Sequence, residues 1–413
     1  MTRPSSEPPH CSGKAPLIFD QHHLTLSGSL SSLTLFAVWD RSSEDDPWCK
    51  LAVMQLIQIV PSLPPRVDGI GDYALKLAHR LRSNHSIETR FVVGDPQWDG
   101  SDAVEGFRTA KVTARTREGL SQAIAALDEQ GQGIPVLVQF AVYGYEKRGV
   151  PVWLVDALEA IHVLRSRPLH AAFHELENHS WKPWSSVFWV TGMQRSLLKR
   201  LARITEFRYT NTELHRRKLE DWDSGRISLI LNFSTLGEPT TLPAFSARGR
   251  TLVVFGRAAQ REWTYGLGGH LLAALCRRLG IERILDIGPS LGNGGPDQFG
   301  GVPVHALGRL PEVELNHHFS TALGSFQHYP TPLLTKSSTH AVSCAFGTIP
   351  FIFDGSSRLH SCPPLVTGED FVPVDADHSQ LPLPDLEELS KRVFENYQRR
   401  NASVAASVVA RSI

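Results

Sequence analysis

The side chains able to do chemistry in this 413-residue chain fall into two groups of different character. One is basic and hydroxylic: Gly256-Arg257 with Arg261, Gly308-Arg309, and Lys336-Ser337-Ser338. Arginine can neutralise a phosphate through two parallel hydrogen bonds. Serines that open a helix sit beside free backbone N–H groups, which hold the same anion. The other group carries His174-Glu175 and Gly69-Ile70-Gly71-Asp72. His174 can act as a base or bond a sugar hydroxyl, and Glu175 can fix its tautomer or serve as the base itself. The glycines permit close approach of a ligand to the backbone. Each feature also has a plainer reading: solvated surface charge, a structural histidine, an ordinary βα turn. For the basic group, joint appearance at successive strand ends weakens the plainer reading, whereas a lone histidine is more often structural.

Several chemistries lack their signatures. In His174-Glu175-Leu176-Glu177-Asn178-His179 the histidines are five apart, so on a helix they would diverge by roughly 140°. His22-His23 and His317-His318 are adjacent and point apart. No metal centre is expected. There is no G-x-x-x-x-G-K-[ST] phosphate loop and no G-x-S-x-G elbow. The G-x-G at Gly69 lacks the third glycine of a dinucleotide site. Nucleotide triphosphatases, α/β-hydrolases and nicotinamide enzymes are therefore disfavoured.

The elements that must position these residues alternate. Leu56–Val60 reads as a buried strand, followed by a turn with Pro61, Pro64 and Pro65. Asp72 is expected to cap a helix carrying Ala74, Leu77, Ala78 and Leu81 on one face. Strand-like runs end at Val93, Phe140, Phe173, Thr210 and Leu231, with helices expected at 117–129, 153–164 and 186–203. The pattern breaks near Gly237-Glu238-Pro239 and starts again. Strands ending at Phe255, Ile287, Leu307 and Phe353 alternate with helices at 263–279, 312–323 and 338–345, and Asp385–Arg399 forms a last strong helix. Gly324-Ser325, Tyr143-Gly144-Tyr145 and Asn211 are read as further strand ends. Such β-α alternation builds parallel sheets wrapped by helices, which bind ligands beyond the carboxyl ends of their strands. Four divisions follow: an extension over 1–53, a first doubly wound domain over 54–238, a second over 239–384, and a closing helix with tail over 385–413.

Zero net charge removes any global case for nucleic acid. A hydrophobic share of 41% with nine tryptophans implies substantial cores, and no window reaches the ~18 apolar residues of a transmembrane segment. Five scattered cysteines without CxxC spacing read as free thiols, so a cytoplasmic setting is expected. Residues 1–53 are rich in Ser, Pro, His and Asp, and Met54 stands directly before the first convincing strand, where translation is expected to start. Arg195, Lys199, Arg200 and Arg203 interleave with leucines, which allows peripheral membrane contact. A packed helix with a solvated face is the more ordinary reading.

In order, these features resemble glycosyltransferases of the GT-B fold, the group described as family 1 or family 4 glycosyltransferases. The resemblance lies in VDGIGDYALKLAHRLR, the strand-end FHE, VVFGRAAQRE, RILDIGP, VHALGRLPEVELNHHFSTALGSF, KSSTHAVSCAFGTIPFI and PDLEELSKRVFENYQRR. It implies two Rossmann-like domains facing across a cleft, with a C-terminal helix crossing back to the first. It also implies transfer of a hexose, without metal or cofactor, from a nucleotide-sugar donor on the second domain to a hydroxyl acceptor on the first. Arg257 and Arg261 would hold the donor diphosphate, with Gly308, Lys336, Ser337 and Ser338 nearby. His174 would face the transferred sugar, and Gly69, Gly71 and Asp72 would wall the acceptor side. One departure stands out. Retaining members carry two glutamates with seven residues between them, before the glycine matched by Gly347, whereas here those positions are Leu334 and Val342. A catalytically silent sugar-nucleotide or partner-binding protein is therefore the alternative, and a sugar-nucleotide epimerase a third possibility.

Overall fold

A computed structural model describes residues 54–164, 167–176, 186–292, 294–355, 363–374 and 385–413. The expectations placed on residues 1–53, including a start at Met54, lie outside them.

The first half contains β1 (Met54–Val60), α1 (Gly69–His85), β2 (Ile87–Val93), β3 (Ala103–Val104), β4 (Phe107–Lys111), α2 (Arg117–Leu127) and β5 (Val136–Phe140). It continues with α3 (Val152–Val163), β6 (Leu169–Phe173), α4 (Ser186–Ile204), β7 (Phe207–Thr210), α5 (Glu213–Trp222) and β8 (Arg226–Leu229). Its sheet runs β3-β4-β2-β1-β5-β6-β7-β8, with every pair parallel except the β3–β4 hairpin. Every residue of β5 and β6 is buried, as strands covered by helices on both faces must be.

The second half contains β9 (Gly249–Phe255), α6 (Ala258–Leu279), β10 (Arg283–Ile287), β11 (Gln298–Phe299), β12 (Val302–Gly308) and α7 (Glu312–Thr321). Then come β13 (Ala322–His328), α8 (Ser338–Ala345), β14 (Ile349–Phe353), β15 (Val372–Pro373), α9 (Leu386–Gln398) and α10 (Ala402–Ala410). Its sheet runs β11-β12-β10-β9-β13-β14-β15. In both halves the first strand has its successors on one flank and later strands on the other. The order therefore reverses beside β1 in the first half and beside β9 in the second.

Four features depart from the sequence reading. The cap of α1 is Asp68, whose side chain accepts from the Ile70 N–H, so Gly69, Ile70, Gly71 and Asp72 form the first helical turn rather than a loop. Gly324 and Ser325 do not end a strand. They lie inside β13, a buried strand that follows α7 without a break, so no turn residue marks the boundary. Helix α6 begins at Ala258, one turn before the apolar periodicity becomes visible. Finally, the return crossing is made by α10. Helix α9 packs on α8, while α10 lies along α1, with His85 bonded to Ser407 at 3.1 Å.

The joint between halves is a buried carboxylate. Glu238 accepts from the Arg80 guanidinium at 3.0 Å, from the Ala402 N–H at 3.0 Å and from the Tyr397 hydroxyl. Its side chain is only 4% exposed. The segment read as a link is thus pinned by α1, α9 and α10 together. Of the basic residues on α4, Arg200 is engaged within the fold, bonding Asp156 at 2.5 Å and Glu159 at 2.7 Å on α3. Among the described residues no helix is long and apolar enough to cross a membrane.

Candidate functional site

The carboxyl end of β9 turns through Gly256, whose φ is 141°, into Arg257, the residue before the first turn of α6. Arg257 is exposed and is the N-cap residue at the positive end of a 22-residue helix. The opening turn of α8 stands beside it, because a Cβ on Gly256 would lie 3.9 Å from the Thr339 hydroxyl. Ser337 caps α8 by accepting from the His340 N–H at 3.2 Å, and Ser338 is exposed at the first helical position. Lys336, half-buried, precedes the cap. Gly308 ends β12 at φ 70° with open space where a Cβ would stand. The N-termini of α6 and α8 therefore lie close together at the end of β9, with Arg257 leading into one and Lys336 preceding the cap of the other, a setting for a polyanion.

Arg261 does not join them. It is 1% exposed, and its guanidinium is bonded to the Gly256 carbonyl at 3.0 Å, to the Asp286 carboxylate and to the Pro289 carbonyl. Burial lowers its pKa from the ordinary arginine value. The Tyr265 hydroxyl donates to the other oxygen of Asp286 at 2.6 Å. The expected phosphate contact thus becomes a buttress under the Gly256 turn, because its donors face inward to carbonyls and a carboxylate.

From the first half, His174 and Glu175 reach the same cleft. Glu175 lies 3.5 Å from the Lys336 ammonium, an ion pair between residues of the two halves. The His174 ring packs edge-on to Tyr73 at 4.9 Å and has Nε2 2.8 Å from Gln139 Oε1. Burial, with Lys336 adding, pushes its pKa down to about 4, so the ring is neutral at physiological pH. With Gln139 oriented so, Nε2 carries the proton and Nδ1 keeps a lone pair.

The glycines of α1 divide. A Cβ on Gly71 would stand 2.3 Å from the Ser62 carbonyl, so its missing side chain is occupied by the protein's own backbone, not by a ligand. Gly69 is exposed with nothing within 4 Å. Asp72 is half-buried, and desolvation, reinforced by Asp68 and Glu105, raises its pKa to about 6.

Three residues of the site escaped the sequence reading: Tyr73 and Gln139, which hold the His174 ring, and Asn232, which ties the first half to the second. Asn232 donates from its side chain to the Lys336 carbonyl at 2.7 Å, and Asn211 donates to Asn232 at 3.2 Å.

No family model matches the chain, and no curated protein is similar to it in sequence. Solved structures do match. A structure from E. coli described as trehalose-6-phosphate bound with UDP-2-fluoro glucose superposes with a TM-score of 0.52, covering 87% of this chain and 98% of that one at 10% identity. The lipopolysaccharide outer core galactosyltransferase WaaB, in its apo form, gives 0.51 over 86% and 99% at 10% identity. A mutant of the O-GlcNAc transferase of Thermobaculum terrenum gives 0.51 over 87% of this chain at 14% identity, and the chain spans 66% of that protein's length. The fold is thus GT-B, two Rossmann-like halves facing across a cleft with a C-terminal helix returning to the first.

Proposed function

We propose that the protein moves a hexose, without a metal, from a nucleotide-sugar donor on the second half to a hydroxyl acceptor on the first. The observation that supports this reading is the closeness of two helix N-termini, one opened by Arg257 and the other preceded by Lys336, whose ammonium faces Glu175 from the first half. Departure of a nucleoside diphosphate builds negative charge on its phosphates, and fixed cations and N–H groups stabilise that charge without reorganising. Arg257, Ser338 and the α8 amides would hold the diphosphate. Lys336 would exchange its 3.5 Å contact with Glu175 for a phosphate oxygen. Neutral His174 would accept a hydrogen bond from a sugar hydroxyl at Nδ1. Asp72, with its pKa near 6, is ionised at neutral pH yet basic enough to take the acceptor's proton. Lipid-linked, polysaccharide and small-metabolite acceptors all suit an open first-half wall at Gly69.

A second reading, a silent sugar-nucleotide or partner-binding protein, is favoured by Leu334 and Val342. Both are fully buried core side chains where the resemblance calls for glutamates. One experiment separates the two. Calorimetric titration with a panel of UDP- and GDP-sugars, followed by assays of donor hydrolysis and transfer, should give binding and turnover. Arg257→Ala should cut turnover about a hundredfold, the scale of losing one transition-state donor. Binding without turnover supports the silent reading, epimerised donor in the absence of acceptor indicates an epimerase, and unimpaired Arg257→Ala rejects the assigned role.

A further inference from the structure

A chain of side-chain amides runs beneath the cleft between its two sides. Asn232, just beyond β8, donates from Nδ2 to the Lys336 carbonyl at 2.7 Å, and its backbone N–H donates to the Thr335 carbonyl at 2.9 Å. Its Oδ1 accepts from Asn211 Nδ2 at 3.2 Å, and the same Asn211 nitrogen donates to the His174 carbonyl at 3.4 Å. The orientation of both amides follows from their neighbours: the ends of the chain, the carbonyls of Lys336 and His174, can only accept. Asn211 is 4% exposed and its Oδ1 is left without a protein donor. A cavity of about 10 Å³ lies against it, lined by Tyr73, His174, Tyr209 and Asn232 among others, the space of one water molecule.

We infer that Asn232 is a positioning residue that, through Asn211, sets the Lys336–Ser337 turn and the His174 backbone as one unit. The cation that meets the donor diphosphate and the histidine that meets the sugar are then fixed relative to each other, although they come from different halves. The role in donor binding rests on the function proposed above; the coupling itself does not.

Two variants and two readouts test it. Asn232→Leu keeps the branched shape and removes the side-chain amide, donor and acceptor together, and Asn232→Ala guards against a misfolded leucine variant. With UDP as the probe, titration calorimetry should show each variant binding about tenfold more weakly in the native background. In a Lys336→Met background the loss should shrink to under about twofold, because Asn232 acts through Lys336. Equal loss in both backgrounds, or none, overturns the inference. Without any nucleotide, hydrogen exchange should quicken together in segments 335–340 and 171–176 of Asn232→Leu, while β10 keeps its native rates. Quickening at one segment alone also overturns it. If the segments respond together but native protein binds no nucleotide, the coupling stands and the donor reading fails.

Discussion

The two halves share a doubly wound sheet but treat its crevice in opposite ways. Where the first sheet reverses, between β1 and β5, the crevice is stoppered by Tyr145. Its hydroxyl donates toward the carbonyls of Ile59 at 2.9 Å and Gln139 at 3.0 Å, and a Cβ on Gly94 would strike its ring at 2.6 Å. Burial holds that phenol well above its usual pKa. Where the second sheet reverses, between β9 and β13, the crevice ends in a bare Gly256 turn and an exposed Arg257. Glycine accordingly has two uses in one molecule. Gly71 and Gly94 in the first half admit the protein's own atoms, whereas Gly308 in the second faces open space.

The sharpest test of this contrast is Tyr145→Ala, which should cost about 3–5 kcal/mol of stability, as for other buried aromatics. Surviving folded protein should bind UDP normally. Arg257→Ala should do the reverse, losing function at an unchanged melting temperature. If both variants lose stability and binding together, the crevices are not divided as described.

A smaller effect separates the glycines. Gly71→Ala drives a methyl into the Ser62 carbonyl, 2.3 Å away, and should cost roughly 1–3 kcal/mol through a shifted α1. Gly308→Ala meets open space and pays only for a left-handed backbone, about 1 kcal/mol. Denaturant midpoints rank the two, and the opposite order would break the assignment of Gly71 to packing.

The mildest expected effect is on pH. Burial lowers the pKa of His170 and His174 to about 4 and of His215 and His340 to about 3. Unfolded chains protonate these rings near pH 6.5. As pH falls from about 6.5 toward 4, the unfolded state takes up protons that the folded state refuses, so stability drops. Asp72, raised to about 6, works in the opposite sense over the same window, as does Asp68, also raised by burial, while His318, lowered by burial, adds to the histidine side. The urea midpoint should therefore be lower at pH 4.5 than at pH 7, and an unchanged midpoint would contradict the buried, neutral state of these histidines.

Much of the fold was legible because strands covered on both faces are largely apolar runs, and the ends read at Val93, Phe140, Phe173, Thr210, Phe255, Ile287 and Phe353 are those of the strands. Strand β13 was hidden because α7 passes into it at Ala322 with no glycine, proline or polar turn between. Arg257, Lys336 and Ser338 could be picked out because a cation or serine at a strand end has few structural uses. Arg261 shared that position in sequence, but one helical turn rotates it toward Asp286. Neither periodicity nor spacing carries that information. Asn232 gave no signal at all, since its partners in the second half, Thr335 and Lys336, stand about a hundred residues away.

The Glu238 joint has a consequence for how the molecule can move. The chain passes between the halves twice, once at Glu238 and once at the α9–α10 turn, and Arg80, Tyr397 and Ala402 gather both passages onto one carboxylate. Two passages pinned at one place make a hinge, like a door hung on a single post. Opening or closing of the cleft would then swing the second half about Glu238 while α10 stays on α1, and the widest travel would fall at the edge farthest from that residue.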